Sequence, residues 1–248
     1  MAKFTYAIGW RHHRDREGNL ARVLDWLKSF PDLDVLVVEQ DNMSRFRPPP
    51  GVRHIFARST GAYNRSWGFN VAYRESSSPY LVFGDSDIIM RGHEFVSALD
   101  AAESLDVLSP YSSVLDLEKG EGDLELGDLA KIERPGRGEG DNQRINLCGG
   151  VVVFSRDAFE RVGGWDEDFV GWGGEDDIMT FKVEAAGLRT ASMPYRCYHL
   201  WHHRAAPDPV QYSKTLGLLR SRVALSGAAV LEMASKSFGG CGDKEKFR

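Results

Sequence analysis

The chain is poor in cysteine, has no long apolar run and carries no excess of positive charge. Its three cysteines, Cys148, Cys197 and Cys241, fall at no metal-binding or disulfide spacing, which excludes a disulfide scaffold and suits a reducing compartment. No stretch approaches the roughly 18 apolar residues of a membrane helix, so no membrane insertion is expected. The N-terminal stretch Met1 to Ile8 alternates into a strand and lacks the apolar block and small-residue cleavage site of a signal peptide. The expectation is a cytoplasmic protein. A formal charge of −5 gives nucleic acid no general electrostatic footing, and no internal repeat is present. What is there is ordinary globular material: 248 residues, 42% hydrophobic and 27% charged, are ample for one core without staples.

The first half alternates strand and helix. Phe4 to Gly9 reads as a strand, followed by the polar turn Trp10 to Arg16. Leu20, Val23, Leu24 and Leu27 then recur at helical spacing, and Pro31 closes that helix. Val35 to Val38 is apolar on both faces, as a central parallel strand must be when helices cover both its sides. Val52 to Phe56, a helix over Ser66–Arg74 and a buried strand over Tyr80–Phe83 continue the pattern, which is that of a doubly wound α/β sheet. From Ser112 to Asn146 the chain turns rich in Gly, Glu and Asp, and reads as a mobile insertion or long loop. A strand over Gly150–Phe154, a short helix over Asp157–Val162, a helix over Glu175–Ala186 ended by Gly187, and one long helix over Ser213–Ser237 follow. The tail from Gly239 reads as frayed.

Four motifs carry chemistry. Asp85-Ser86-Asp87 lies just past a strand, where ligands of open α/β sheets sit, and paired carboxylates there can chelate a hard divalent cation. Alone it is only an acidic turn. Gly171-Trp172-Gly173-Gly174-Glu175-Asp176-Asp177 opens a helix. Capping accounts for one acid there; three beside a tryptophan exceed that need, and one could serve as a general base. Tyr198-His199-Leu200-Trp201-His202-His203 puts three histidines within five residues, a metal-binding density in a chain that already offers the acidic pair. The turn Arg11 to Arg16 has arginines able to grip phosphate oxygens, or is simply a solvated turn.

In this order the motifs resemble those of GT-A nucleotide-sugar glycosyltransferases, notably the β-1,4-galactosyltransferases and the related family 2 and chondroitin-polymerase-type enzymes. Arg14-Asp15-Arg16-Glu17-Gly18-Asn19-Leu20 is similar to the family's first motif, and Tyr63-Asn64-Arg65 with Gly68-Phe69-Asn70 to its Phe-Asn-Arg segment. Phe83 to Asp87 matches its DxD. Cys148 to Val151, Gly163 to Phe169 and Gly171 to Asp177 match its C-terminal block. The resemblance implies a single Rossmann-like GT-A domain over residues 1–212, with a mostly parallel sheet flanked by helices. Its nucleotide half would be about 1–90 and its acceptor half about 91–212, with the C-terminal helix over 213–237 and the tail over 238–248 outside it.

The same resemblance implies the roles. Asp85, Asp87 and His199, with His202 as the rival histidine, would hold Mn2+, or Mg2+ in its place, against the diphosphate of a UDP-sugar. Arg14, Arg16, Tyr63, Arg65 and Asp85 would line the nucleotide site, and Gly150, Trp172, Gly174, Glu175 and Asp177 the sugars. Asp176 would be the catalytic base, with Glu175 beside it. Retaining relatives tend to carry Asn after the Glu of this turn, so Asp176 implies inversion. The acceptor would be a glycan, a lipid-linked sugar or a small molecule; the segment 200–212, with Pro207 and Pro209, would close over the donor. Two alternatives stand beside this: a transferase acting on a hydroxymethylated DNA base, through the arginines of 11–16 and 134–144, and a non-catalytic nucleotide-sugar or glycan-binding domain on the same fold.

Overall fold

The computed structural model describes residues 2–14, 16–140, 145–203 and 208–248. The strands are β1 (Phe4–Trp10), β2 (Leu33–Asp41), β3 (Val52–Arg58), β4 (Tyr80–Gly84), β5 (Ile88–Met90), β6 (Val107–Ser109), β7 (Ser113–Asp116), β8 (Val151–Ser155), β9 (Thr190–Ser192) and β10 (Arg196–His199). The helices are α1 (Glu17–Leu27), α2 (Arg65–Glu75), α3 (Gly92–Ala102), α4 (Leu126–Leu129), α5 (Arg156–Arg161), α6 (Glu175–Ala185), α7 (Pro209–Val223) and α8 (Gly227–Phe238). Seven strands form one sheet in the order β3-β2-β1-β4-β8-β6-β9. β3, β2, β1 and β4 run parallel, and β8 is antiparallel to both its neighbours. The expected mostly parallel sheet flanked by helices is thus present.

The strand period of two sorts the core into two layers. Tyr6, Ile8 and Trp10 of β1 face one side, where Leu20, Val23, Leu24 and Leu27 of α1 and Phe95 of α3 cover them. Ala7 faces the other, with Leu36, Val38, Leu81 and Phe83, under Trp67 and Phe69 of α2 and Phe159 of α5. Because β1 lies between β2 and β4 while the chain runs β1, β2, β3, β4, the strand order reverses between β1 and β4. Crevices at such reversals, beyond the carboxyl ends of parallel strands, are where this architecture binds ligands. β4 ends there at Gly84, immediately before Asp85.

Three expectations are corrected. Residues 112–146 do not form a loop throughout: Ser113–Asp116 is strand β7, paired in parallel with β10 in a second sheet ordered β5-β10-β7. Arg196 grips Glu139 with two hydrogen bonds of 2.8 and 2.7 Å, and Arg134 pairs with Glu121. The long helix over 213–237 is two helices. Ser226 takes extended backbone and its hydroxyl accepts from Ala229 N, which starts α8 afresh. α7 begins earlier than expected, at Pro209, with Asp208 capping Gln211 N, so the presumed closing segment is partly helix; its residues 204–207 lie outside the described ones.

The tail, expected to fray, is docked. Trp67 Nε1 donates to Asp243 O at 2.8 Å and the Phe247 ring packs on Trp67. Glu167, 4% exposed, is the anchor: it accepts from Asn70 Nδ2 at 2.9 Å, Gly242 N at 2.6 Å and Lys246 Nζ at 2.7 Å. Glu167→Ala strands two buried donors, at roughly 1–3 kcal/mol each. The expected loss is about 2–4 kcal/mol in urea unfolding, with faster proteolysis after Phe238. A loss under about 0.5 kcal/mol would show the tail is not held there.

Candidate active site

The small sheet sets three side chains side by side. His199, at the end of β10, is in register with Ile88 of β5 on one side and Asp116 of β7 on the other. Backbone bonds fix that register: Leu200 N donates to Asp87 O at 2.7 Å and Leu117 N to His199 O at 2.9 Å. Asp87, next to β5, therefore meets the histidines. Its carboxylate lies 3.7 Å from His199 Nε2 and 3.4 Å from His202 Nε2. Ligand atoms of Asp87, His199 and His202 all fall within 4.8 Å of one another. His199 and His202, written as rivals from the sequence, sit together here.

The state of His202 suits a cation. His202 Nδ1 lies 3.1 Å from His203 O, so the neutral ring donates there and leaves a lone pair at Nε2. Burial pushes His202 below its ordinary value, although the His203 carbonyl and Asp87 oppose this; neutral imidazole is what a metal takes. Burial also raises Asp87, against the pull of His199. A mixed oxygen–nitrogen donor set suits a first-row divalent ion such as Mn2+, whereas Mg2+ and Ca2+ prefer oxygen alone.

Asp85 is not in that cluster; it belongs to a second one, centred on Arg65. Asn64 caps α2 by accepting from Trp67 N at 2.9 Å, which places Arg65 at the helix start facing the strand ends. Arg65 is 8% exposed, and its guanidinium donates from Nε to Asp85 Oδ1 at 2.7 Å and from a terminal nitrogen to Asp176 Oδ1 at 2.5 Å. It lies over the rings of Phe69 and Trp165, at 4.7 and 5.2 Å. Burial opposes its charge, but Asp176, Asp85 and Glu175 outweigh burial and keep it protonated.

Asp176 and Glu175 sit on the first turn of α6, after a turn only glycine can make. Gly174 has φ of +90°, and a Cβ there would come 2.7 Å from Phe169 Cε1. Burial pushes Asp176 up to about 7; Arg65 pulls it down, and Glu175 and Asp85 push it up again. Burial raises Glu175 too. Gly150 also has positive φ, and its carbonyl accepts from Asp85 N at 3.0 Å and more weakly from Arg65. Asp177 is exposed and accepts from Asn146 Nδ2 at 3.0 Å.

Trp172 stands 63% exposed, its ring 5.3 Å from that of Tyr212 on α7. The two border an open groove of about 550 Å3 with Ala62, Gln211 and Lys214. On the β1 side, Tyr63 lies against Gly9 and beneath Arg11, whose guanidinium is 5.9 Å from its ring. Arg16 is near enough to act electrostatically on Asp87, Tyr63 and His202, while Arg14 is exposed on the turn. Sequence reasoning missed Asp116, whose carboxylate lies 2.9 Å from His199 Nδ1. The apolar pair Val114-Leu115 just before it marked a strand. It missed also Tyr111, whose hydroxyl bonds Gly149 O and Val151 N and braces the Gly149-Gly150 turn.

The fold recurs in known proteins. The chain resembles the catalytic domain of Drosophila β1,4-galactosyltransferase 7, solved with xylobiose, at a TM-score of 0.57, with 18% identity over 87% of this chain and 80% of that one. It resembles S. aureus TarS residues 1–349, solved with UDP, at 0.59, with 16% identity over 95% and 70%. The fold is GT-A. Within it, the family model described as the N-terminal domain of galactosyltransferase matches residues 141–204, the stretch that carries the GT-A chain's glycine-rich turn, Asp176 and both histidines. β-1,4-Galactosyltransferase 4 of Cricetulus griseus is 26% identical over 181 residues, 69% of this chain and 40% of that protein. The chain spans between 13% and 40% of the length of the curated relatives it matches. Among the described residues no helix is long and apolar enough to cross a membrane.

Proposed function

We propose that this GT-A chain is a metal-dependent glycosyltransferase, moving a sugar from a UDP-sugar to an acceptor hydroxyl with inversion. What carries the reading is the placement of Asp176, a half-buried carboxylate joined through Arg65 to Asp85, two residues from Asp87 of the Asp87–His199–His202 cluster, and pushed up to about 7 mainly by desolvation. A general base works best when its pKa lies near the operating pH. Galactosyltransferase relatives, and TarS with its bound UDP, support the donor class.

Asp176 takes the acceptor's hydroxyl proton on its free carboxylate oxygen. The acceptor oxygen then bonds to the anomeric carbon from the face opposite the leaving group, and the bond from that carbon to the diphosphate oxygen breaks, releasing UDP. Asp87, His199 and His202 would hold Mn2+, which when bound supplies charge neutralisation for the departing diphosphate. Arg65 keeps Asp176 oriented, and its charge limits how far burial can neutralise that carboxyl. Arg16 and Tyr63 flank the nucleotide side, with Arg14 on the turn beyond. Trp172, with Tyr212 beside it, offers a ring face to a sugar, and Glu175, Gly150, Gly174 and Asp177 are the remaining residues assigned to the sugars. Glycan, lipid-linked and small-molecule acceptors all present the required hydroxyl.

The test is UDP release from a panel of UDP-sugars, with Mn2+ and with EDTA, followed by NMR of the product's anomeric proton. Metal-dependent release from one donor, then a product of inverted configuration, is expected. A retained configuration would remove Asp176 as base. Failure to bind UDP with Mn2+ would end the nucleotide-sugar reading.

A further inference from the structure

Among the described residues of 112–146, one carboxylate, that of Asp116, is bonded on two sides. Asp116 ends β7, in register with His199 on β10, so the two side chains project from the same face of the small sheet. Its Oδ1 lies 2.9 Å from His199 Nδ1. Arg137 grips the same carboxylate with bonds of 3.0 and 3.2 Å, and is itself tied to β7 by two backbone bonds with Val114, of 2.9 and 2.8 Å. The carboxylate is therefore held from one side by Arg137 and turned toward the imidazole on the other.

An imidazole has one proton to place when neutral. With a carboxylate at Nδ1 the proton stays on Nδ1, and the Nε2 lone pair points away, toward Asp87. We propose that Asp116 is a positioning residue for the metal centre: held by Arg137, it fixes the tautomer and ring angle of His199 so that Nε2 serves as the ligand atom. The inference rests on the reading that Asp87, His199 and His202 hold a divalent metal. It also gives the strand inside the acidic segment a role, since β7 is what carries Asp116 to that nitrogen.

Partners of this kind, hydrogen-bonded to a metal-ligating histidine, are worth about 10- to 100-fold in metal affinity. The experiment has two readouts, neither of them activity. The first is 15N–1H correlation of the histidine rings in the wild-type, metal-free protein at pH 8, where His199 is expected to carry its proton on Nδ1. The second is Mn2+ binding followed by the EPR signal of the free ion, in wild type, Asp116→Ala, Asp116→Asn and Glu139→Ala. Asp116→Ala is expected to weaken Mn2+ by about 10- to 100-fold, with Asp116→Asn in between because its amide oxygen still accepts from Nδ1. Glu139→Ala breaks that segment's ion pair with Arg196 of β10 and its bond from Gly136 N without touching His199, and should bind as wild type does.

A wild-type His199 protonated on Nε2 would overturn the proposal. So would an Asp116→Ala protein that binds Mn2+ as wild type does, or a Glu139→Ala protein weakened equally, which would place the effect in the segment's folding. Wild type that binds no Mn2+ would instead sink the metal reading itself, and this inference with it.

Discussion

Asp176→Asn should cut sugar transfer by about 10^3-fold, within the roughly 10^2- to 10^4-fold that general bases contribute, while UDP and Mn2+ bind as before. The amide keeps the shape of the carboxylate and can still accept from Arg65, but it cannot take a proton from the acceptor. Turnover within tenfold of wild type would remove Asp176 from the mechanism. The pH profile gives an independent check. Burial raises Asp176 to about 7 against the pull of Arg65, so wild-type kcat/KM should climb about tenfold per pH unit below 7 and flatten above it. The stability sign runs the other way. A carboxyl whose folded value lies above its unfolded 3.8 loses stability as pH rises from about 4 through 7, because the folded state resists ionising. Asp176→Asn removes that loss, so its stability relative to wild type should grow between pH 4 and pH 8. A base kept near neutrality is thus a stability cost of the kind active sites commonly carry.

The sheet was legible because its residues answer to local rules. A stripe at helical spacing gave α1, and the doubly apolar run of Val35 to Val38 gave a strand buried along most of its length. Asp85 and Asp87 were placed correctly beyond β4, since the end of a buried strand is visible in composition alone. Their separation into two clusters was not legible. It depends on Arg65, twenty residues before Asp85 in sequence, reaching that carboxylate, and on strand β7 bringing Asp116, 29 positions past Asp87, beside His199. The Gly-, Glu- and Asp-rich run after Asp116 masked the four residues of β7, which pair only once β10 exists. Docking of the tail was hidden for the same reason: Gly239 to Arg248 has little apolar pattern of its own, and its order comes from Glu167 and Trp67 elsewhere in the fold. The break between α7 and α8 was readable and missed, because Ser226 ahead of Gly227-Ala228-Ala229 is a helix start inside an otherwise continuous pattern.

Asp85 and Asp87 should fail in different ways when removed. Asp87→Ala takes away the carboxylate that faces both His199 and His202, leaving two imidazoles and no anionic donor. Mn2+ binding should fall by 100-fold or more, and UDP binding should lose its metal dependence. Asp85→Ala leaves the three cluster ligands in place, so metal-only affinity should change by less than about tenfold. Its damage goes elsewhere. Arg65 loses the partner at its Nε and keeps Asp176 as its main anion, with Glu175 beside it, so more of its charge acts on the base. Asp176 should be pulled below its present value of about 7, moving the acid limb of the kcat/KM profile to lower pH and weakening the base. Calorimetric titration with Mn2+ reads the first pair of outcomes and the pH profile the second. Equal loss of Mn2+ in both variants would mean that Asp85 swings away from Arg65 and ligates when metal arrives. In that case the Arg65–Asp85 pair would be a latch released by metal binding, and the profile of Asp85→Ala would no longer report on the base by itself.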